Sequence, residues 1–289
     1  MTDRYTGRDV VFLLGSPRSG TTWVQKLLAS HPKIATAQES NFFITYARSL
    51  IRNWNDDVRD RSGRGGTGLP CYLNEDQFYA VLAELFKKTV LDIGLRDACS
   101  STLFVEKTPS HALVVDDIHR ILPEARYLLL IRDPRDVVSS ILAAHKTWGK
   151  GWAPSNMFTA LVMWYRHTVA ARESLERLPD CLSLTLRYED LLSEPEKTLA
   201  SVFSFLGLEL GRQELASLIE MNAIGSRRPA NNPLKVFGLV GAKLQGVIKE
   251  PEGFVRRGKS GTWREDLGVV KGTVIKYLAR KEIKRYGYF

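Results

Sequence analysis

The segment that most constrains this chain is a short apolar run that stops on a glycine and opens straight into a helical pattern. Asp9–Gly15 reads DVVFLLG, with apolar side chains in succession rather than in alternation. Such a strand has both faces buried, as in the interior of a parallel sheet. From Thr21 to Ser30 the period changes, and Trp23, Val24, Leu27 and Leu28 fall on one side of a helix. Between them runs Gly15-Ser16-Pro17-Arg18-Ser19-Gly20-Thr21-Thr22. In open parallel sheets ligands bind beyond the carboxyl ends of the strands. The first N–H groups of a helix and the positive end of its dipole favour an anion there. With glycines that let the backbone approach closely, two threonine hydroxyls and Arg18, this loop suits a phosphate.

The same alternation continues along the chain. Ile34–Ala37, Leu103–Glu106, Arg126–Ile131 and Leu182–Arg187 read as strands. Asn74–Leu91, Ser110–Leu122, a segment from Pro134, Pro195–Leu206, Gln213–Met221 and Val269–Arg285 read as helices. Strands alternating with helices predict an α/β fold, a central parallel sheet flanked by helices on both faces. No linker or internal repeat divides residues 1–289, so one domain is expected. Two stretches break the pattern. Arg61–Pro70 is glycine-rich and reads as a loop. Residues 222–262 lack periodicity and carry eight basic residues against two acidic ones, which predicts a mobile basic lid.

Composition narrows the function classes. With 44% hydrophobic and 25% charged residues the chain is neither disordered nor fibrous. No apolar run approaches the roughly 18–20 residues of a membrane span. Met1–Arg8 lacks the apolar core of a signal peptide, which predicts a cytoplasmic protein. Cys71, Cys99 and Cys181 are far apart, which excludes a disulfide framework or a cysteine zinc site. The formal net charge is +9. A basic surplus suits an anionic membrane surface, a small polyanion or simply a solvated surface; because the basic residues are mostly scattered rather than set in dense runs with aromatics, nucleic acid is not expected.

The loop spacing nearly meets the kinase pattern G-x-x-x-x-G-K-[ST], but the lysine position is Thr21. Without that lysine the charge bridging the outer phosphates of ATP is missing, and the loop's cation is Arg18. This opposes a P-loop kinase and favours another phosphate-bearing donor. Pro17-Arg18-Ser19-Gly20-Thr21-Thr22-Trp23 resembles the 5′-phosphosulfate loop of the sulfotransferases that use 3′-phosphoadenosine 5′-phosphosulfate (PAPS). Arg132-Asp133-Pro134-Arg135-Asp136-Val137-Val138-Ser139-Ser140 resembles that family's 3′-phosphate motif, which implies Arg132 and Ser140 as phosphate ligands. Tyr188, in Tyr188-Glu189-Asp190-Leu191, resembles the tyrosine that contacts adenine, with Trp23 on the other ring face. Arg256-Arg257-Gly258-Lys259-Ser260-Gly261-Thr262-Trp263 resembles the late segment that closes over the 3′-phosphate. The resemblance spans Gly15 to Trp263. It implies the nucleoside-kinase-like fold of this family, PAPS as co-substrate, adenosine 3′,5′-bisphosphate (PAP) as product, no metal, and a hydroxylated acceptor.

Sulfuryl transfer has a phosphate leaving group, so cations can replace a metal in neutralising the developing charge. Arg18 and Lys107 are the candidates; Lys107, in Glu106-Lys107-Thr108-Pro109-Ser110-His111, resembles the family's catalytic lysine. A hydroxyl acceptor also needs a general base. Glu39, in Gln38-Glu39-Ser40-Asn41-Phe42-Phe43, is similar to the base of the heparan-type and tyrosylprotein enzymes and is the stronger candidate. His111 is the alternative, because the cytosolic enzymes carry their base in K-T-H, whereas here Pro109 follows Thr108. A non-catalytic module binding anionic ligands is the reading from another class. Neither the acceptor nor the oligomeric state is legible; segments 41–54 and 149–163 and the late loop are expected to frame the acceptor.

Overall fold

In the computed structural model the apolar runs pair side by side, all parallel, as β1 (Val10–Gly15), β2 (Ile34–Thr36), β3 (Leu103–Glu106), β4 (Arg126–Ile131) and β5 (Ser183–Arg187). The order is β2-β3-β1-β4-β5, with β1 in the middle. The structure describes residues 4–64, 67–96, 100–222, 235–236, 246–247 and 258–289.

The strand period of two divides the apolar side chains between two cores. Val10, Phe12 and Leu14 of β1 join Tyr127, Leu129 and Ile131 of β4 on one face. Val11 and Leu13 join Leu128 and Leu130 on the other. The helices cover both faces. They are α1 (Thr21–Ala29), α2 (Arg48–Arg64), α3 (Glu75–Phe86), the single turn α4 (Asp92–Gly94), α5 (Val115–Ile121), α6 (Pro134–Lys146), α7 (Met157–Leu175), α8 (Tyr188–Ser193), α9 (Pro195–Phe205), α10 (Arg212–Met221), α11 (Trp263–Asp266), α12 (Gly268–Leu278) and α13 (Arg280–Arg285). Helices α1, α8, α9 and α10 bury Val24, Leu191, Val202 and Leu215 against the β1 Val11 face. Helices α2, α3, α5, α6 and α7, with α12 and α13, pack on the Phe12 face through Trp54, Phe86, Ile118, Val138, Trp164, Ile275 and Ile283.

The helices show where the sequence reading needs correction. Arg61–Pro70 was expected to be loop throughout, but α2 continues to Arg64 and Leu69–Cys71 forms a 3-10 turn. The expected helix Ser110–Leu122 is interrupted at Val114. Residues Pro109–Leu113 are a 3-10 turn, and Val114, with ψ 29°, caps α5. The run Asn74–Leu91 begins in a capping box between Asn74 and Gln77, but beyond Phe86 it widens into a π-turn over Lys87–Leu91. Val269–Arg285 divides at Ala279 into α12 and α13. Of the basic stretch 222–262, residues 223–234, 237–245 and 248–257 lie outside the described residues, Arg256 and Arg257 among them. Lys235–Val236 and Gly246–Val247 pair antiparallel. Among the described residues no helix is long and apolar enough to cross a membrane.

Phe12 is the hinge of the larger core. It is fully buried, stacks on Tyr127 at 5.7 Å and meets the edge of Phe43 at 5.3 Å. Phe12→Ala leaves a cavity between these rings and is expected to cost about 3–5 kcal/mol. Urea unfolding would report this as a lowered midpoint with the slope unchanged.

Candidate active site

Because all five strands of the central sheet run the same way, their carboxyl ends open on one rim, and each delivers a residue singled out above. The phosphate loop follows β1, and Glu39 lies three residues beyond β2. Lys107, Arg132 and Tyr188 each stand directly after β3, β4 and β5.

The loop closes with the Ser19 N–H donating to the Ser16 carbonyl at 3.1 Å. Arg18 takes a positive φ of 71°, uncommon outside glycine. Gly20 caps α1 with φ 103° and no side-chain acceptor, so the helix end is not closed by its own cap. A Cβ on Gly20 would stand 2.7 Å from the Tyr188 ring, so glycine is required for that contact as well as for the turn. Pro17, Arg18, Gly20 and Thr22 are half-buried, while Ser19 and Thr21 are buried. Arg18 Nε donates to Ser140 Oγ at 3.1 Å, and its guanidinium lies 5.2 Å from the Trp148 ring.

Arg132 bridges the phosphate loop and the late segment. It donates to the Arg18 carbonyl at 3.3 Å and to the Lys259 carbonyl at 3.0 Å, and its guanidinium lies 4.2 Å from the Tyr188 ring. Trp164 of α7 donates to the Arg132 carbonyl at 3.1 Å, which sets the backbone at this turn. The two aspartates nearby have other work. Asp133 caps α6 and pairs with buried Arg135 at 2.7 Å. Asp136 accepts from the Gly261 and Trp263 N–H groups at 2.7 and 2.9 Å, fixing the late segment to α6. Arg132 therefore forms no ion pair among the described residues. Its Nε and the Ser19 hydroxyl are buried without a partner. Gly258, with φ 62°, leads into this anchored end.

Trp23 and Tyr188 meet edge to face at 5.5 Å and 69°. Trp23 Nε1 donates to the Asn222 carbonyl at 2.9 Å. Burial raises the Tyr188 hydroxyl above its ordinary range, against the opposing charge of Arg132.

Lys107 and Glu39 form an ion pair in which Lys107 is buried and the Glu39 side chain is 41% exposed. Below it, Glu106 ends β3 inside the protein. Its Oε1 accepts from the Ser40 N–H, the Ser40 hydroxyl and the Thr108 hydroxyl at 3.2, 2.7 and 2.8 Å. Its Oε2 lies 2.8 Å from His111 Nδ1. Burial pushes the Glu106 carboxyl up, but its interaction with His111 and the hydrogen bonds from His111, Ser40 and Thr108 outweigh it and hold the group down at about 2. His111 is completely buried, and its Nε2 accepts the Phe43 N–H at 3.3 Å. Both ring nitrogens are thus engaged, and no edge of the ring reaches the rim where Glu39 stands.

The model of the sulfotransferase family matches residues 10–212, well over half of the chain. The chain belongs to that family. It is 25% identical over 210 residues to a putative protein-tyrosine sulfotransferase of Caenorhabditis briggsae, covering 71% of this chain and 68% of the relative. It is 26% identical over 243 residues to the nodulation protein NoeE of Sinorhizobium fredii, covering 76% and 56%. The chain thus spans about half to two thirds of the length of the curated relatives it matches. The mouse sulfotransferase SULT7A1, solved with PAP, superimposes with a TM-score of 0.60 at 14% identity, over 97% of this chain and 86% of the other. That likeness concerns the fold.

Two residues with clear structural work escaped the sequence reading. Glu106 and Asp136 stand inside the sequence motifs without a role of their own. The signal for Glu106 was present: a single carboxylate closing an otherwise apolar strand, LFVE.

Gly20→Ala combines a left-handed φ with a collision against Tyr188, so a loss of roughly 1–3 kcal/mol is expected. Gly207→Ala, also at positive φ (70°) but with nothing within 4 Å, is the control. Thermal unfolding should show the larger drop for Gly20, and equal drops would remove the Tyr188 contact from the account.

Proposed function

We propose that this chain transfers a sulfuryl group from PAPS to the hydroxyl of an acceptor. The observation that carries the reading is the pair of buried, unpartnered donors, Ser19 Oγ and Arg132 Nε. Buried polar groups are almost always satisfied, so two orphans beside an open helix N-terminus point to an anionic ligand. The mouse neighbour's complex with PAP supports the same nucleotide, and the names of the protein-tyrosine sulfotransferase relatives support a hydroxyl acceptor. The residues fit it. The loop Gly15–Thr22 would hold the 5′-phosphate, Arg132 and Ser140 the 3′-phosphate, and Trp23 and Tyr188 the adenine. Of the expected set, Arg256 and Arg257 lie outside the described residues, and Gly258 marks where that segment rejoins the anchored Gly261–Trp263 turn.

Bound PAPS supplies an anhydride whose S–O bond to phosphate is the one that breaks. Glu39 takes the proton of the acceptor hydroxyl as the acceptor oxygen bonds to sulfur. Lys107 and Arg18 hold the negative charge that reaches the departing 5′-phosphate, and PAP leaves. The exposed face of the Glu39 carboxylate supports it as the base, whereas the burial of His111 supports a structural part for that ring. Trp148 and Trp152, with ring centroids 5.5 Å apart next to Arg18, support an acceptor that offers an apolar or ring surface. The exposed free thiols of Cys71 and Cys181 accord with a reducing compartment such as the cytoplasm.

Calorimetry without Mg²⁺ should show PAP binding much more tightly than AMP, and equal affinities would refute the 3′-phosphate assignment. Arg132→Ala removes a charge-assisted contact of roughly 1.5–3 kcal/mol, so PAP affinity should fall at least tenfold.

Incubation with ³⁵S-labelled PAPS and a panel of phenols, sterols, tyrosine peptides and oligosaccharides should label at least one acceptor. On that acceptor Glu39→Gln should lower turnover by about 10²–10⁴ while PAP affinity barely changes. Loss of turnover in His111→Ala with full activity in Glu39→Gln would reverse the assignment.

A further inference from the structure

We propose that Glu106 is a positioning residue that presents Glu39 and Lys107 to each other; this rests on the sulfuryl-transfer reading above. The observation is the destination of four successive backbone N–H groups just after Glu39. The Ser40 N–H reaches Glu106 Oε1 at 3.2 Å. The Asn41 N–H reaches Thr108 Oγ1 at 3.3 Å, the Phe42 N–H reaches Ser40 Oγ at 3.1 Å, and the Phe43 N–H reaches His111 Nε2 at 3.3 Å. Those three acceptors are the groups that themselves contact Glu106, at 2.8, 2.7 and 2.8 Å. One carboxylate thus collects the whole turn from Ser40 to Phe43.

The turn needs such support. Asn41 sits at φ 51°, a left-handed conformation that costs energy outside glycine, and it opens the π-turn Phe42–Ala47. The network is covalently continuous with the reacting pair on both sides. Glu39 immediately precedes Ser40, and Lys107 immediately follows Glu106. Moving Glu106 therefore moves both members of the ion pair. The ring of His111 is oriented by the same chain: the Phe43 N–H requires a lone pair on Nε2, so the proton lies on Nδ1 and is donated to Glu106. A glutamine at 106 would turn an NH₂ towards His111 Nδ1, force the proton to Nε2 and set it against the Phe43 N–H.

The test is a double-mutant cycle on the labelled acceptor. Glu106→Gln alone should lower kcat tenfold or more, with the acceptor KM and the calorimetric Kd for PAP within twofold of the parent. In the Glu39→Gln background Glu106→Gln should cost nothing further, because the base it positions is gone. Ser40→Ala removes one hydroxyl from the half-buried part of the network. It repeats the cycle should Glu106→Gln fail to fold, with a severalfold loss alone and none on top of Glu39→Gln. Losses that multiply in the double variants, or PAP affinity that falls in step with kcat, would overturn the proposal and leave Glu106 a purely structural group. Undiminished turnover in Glu39→Gln alone would instead overturn the base assignment, and the positioning of that base with it.

Discussion

Parallel pairing fixes where this molecule can do chemistry. Strands that all run the same way must be joined by crossovers, and the crossovers here carry helices to both faces of the sheet. That leaves the two edges along the strand ends free, and the carboxyl edge is the one from which five connections leave at once. Residues as far apart in sequence as Gly20 and Tyr188 become neighbours only because β1 and β5 flank β4 in register, with Leu129 of β4 level with Leu14 and Thr185. The glycine at position 20 then sets how closely the first connection approaches the last, since any side chain there would meet the Tyr188 ring. The rim is assembled by the sheet, and the side chains on it adjust from that starting point.

Within the rim the aspartates decide which cations remain available. The segment Arg132–Asp136 contains two arginines and two aspartates, and a simple pairing would have neutralised both arginines. Asp133 instead takes Arg135, which lies 4.5 Å from the Trp263 ring. Asp136 spends its oxygens on backbone N–H groups of the late segment. Arg132 is left with carbonyl oxygens and an aromatic face as neighbours, contacts that orient a guanidinium without cancelling its charge. Tyr288 reinforces this from behind. Its hydroxyl donates to Glu189 Oε2 at 2.8 Å, and Glu189 Oε1 accepts the Asp133 N–H at 3.1 Å. Burial raises the Glu189 carboxyl, and the donors from Asp133 and Tyr288 oppose that rise.

The sheet was legible because buried strands carry an uninterrupted apolar signal, and β1 and β4 gave it most clearly. The strand-end residues were legible because they follow those runs directly. The helices that escaped did so for a physical reason. In α7 the buried side includes Ala160, His167, Thr168 and Ser174, while Phe158, Val162 and Tyr165 face outward, so its two sides differ little in polarity. In α2 the described buried apolar residues are Ile51 and Trp54, too few to mark a period in a polar sequence. The site was legible as separate motifs, but not the contacts between them. That Arg18 reaches Ser140, that Asp136 holds the late segment, and that His111 is interior depend on distances across the rim, which spacing along the chain does not encode. The expectations for Arg256 and Arg257 fall outside the described residues.

The missing lysine of the kinase-type loop is matched by a different source of charge. At position 21 the chain has a buried threonine that begins α1, so the helix end offers hydroxyl and backbone donors where a kinase offers an ammonium. In the proposed chemistry the ammonium comes from Lys107, directly after the neighbouring strand β3, where it is 5% exposed. A lysine so deeply placed would be costly if left unpaired, and Glu39 removes that cost. The same pairing sets a geometric condition on the proposed chemistry. For Lys107 to stabilise charge on a leaving phosphate while Glu39 receives a proton, the two must be close enough to exchange partners and yet face different reactants. A flexible loop would satisfy only the first condition. The turn after Glu39 is tied through four N–H groups to the carboxylate that precedes Lys107, which holds the separation and leaves one face of Glu39 open. In the proposed chemistry the buried network is thus the part of the fold that lets the ion pair serve both as a solution to burial and as a base beside its electrostatic partner.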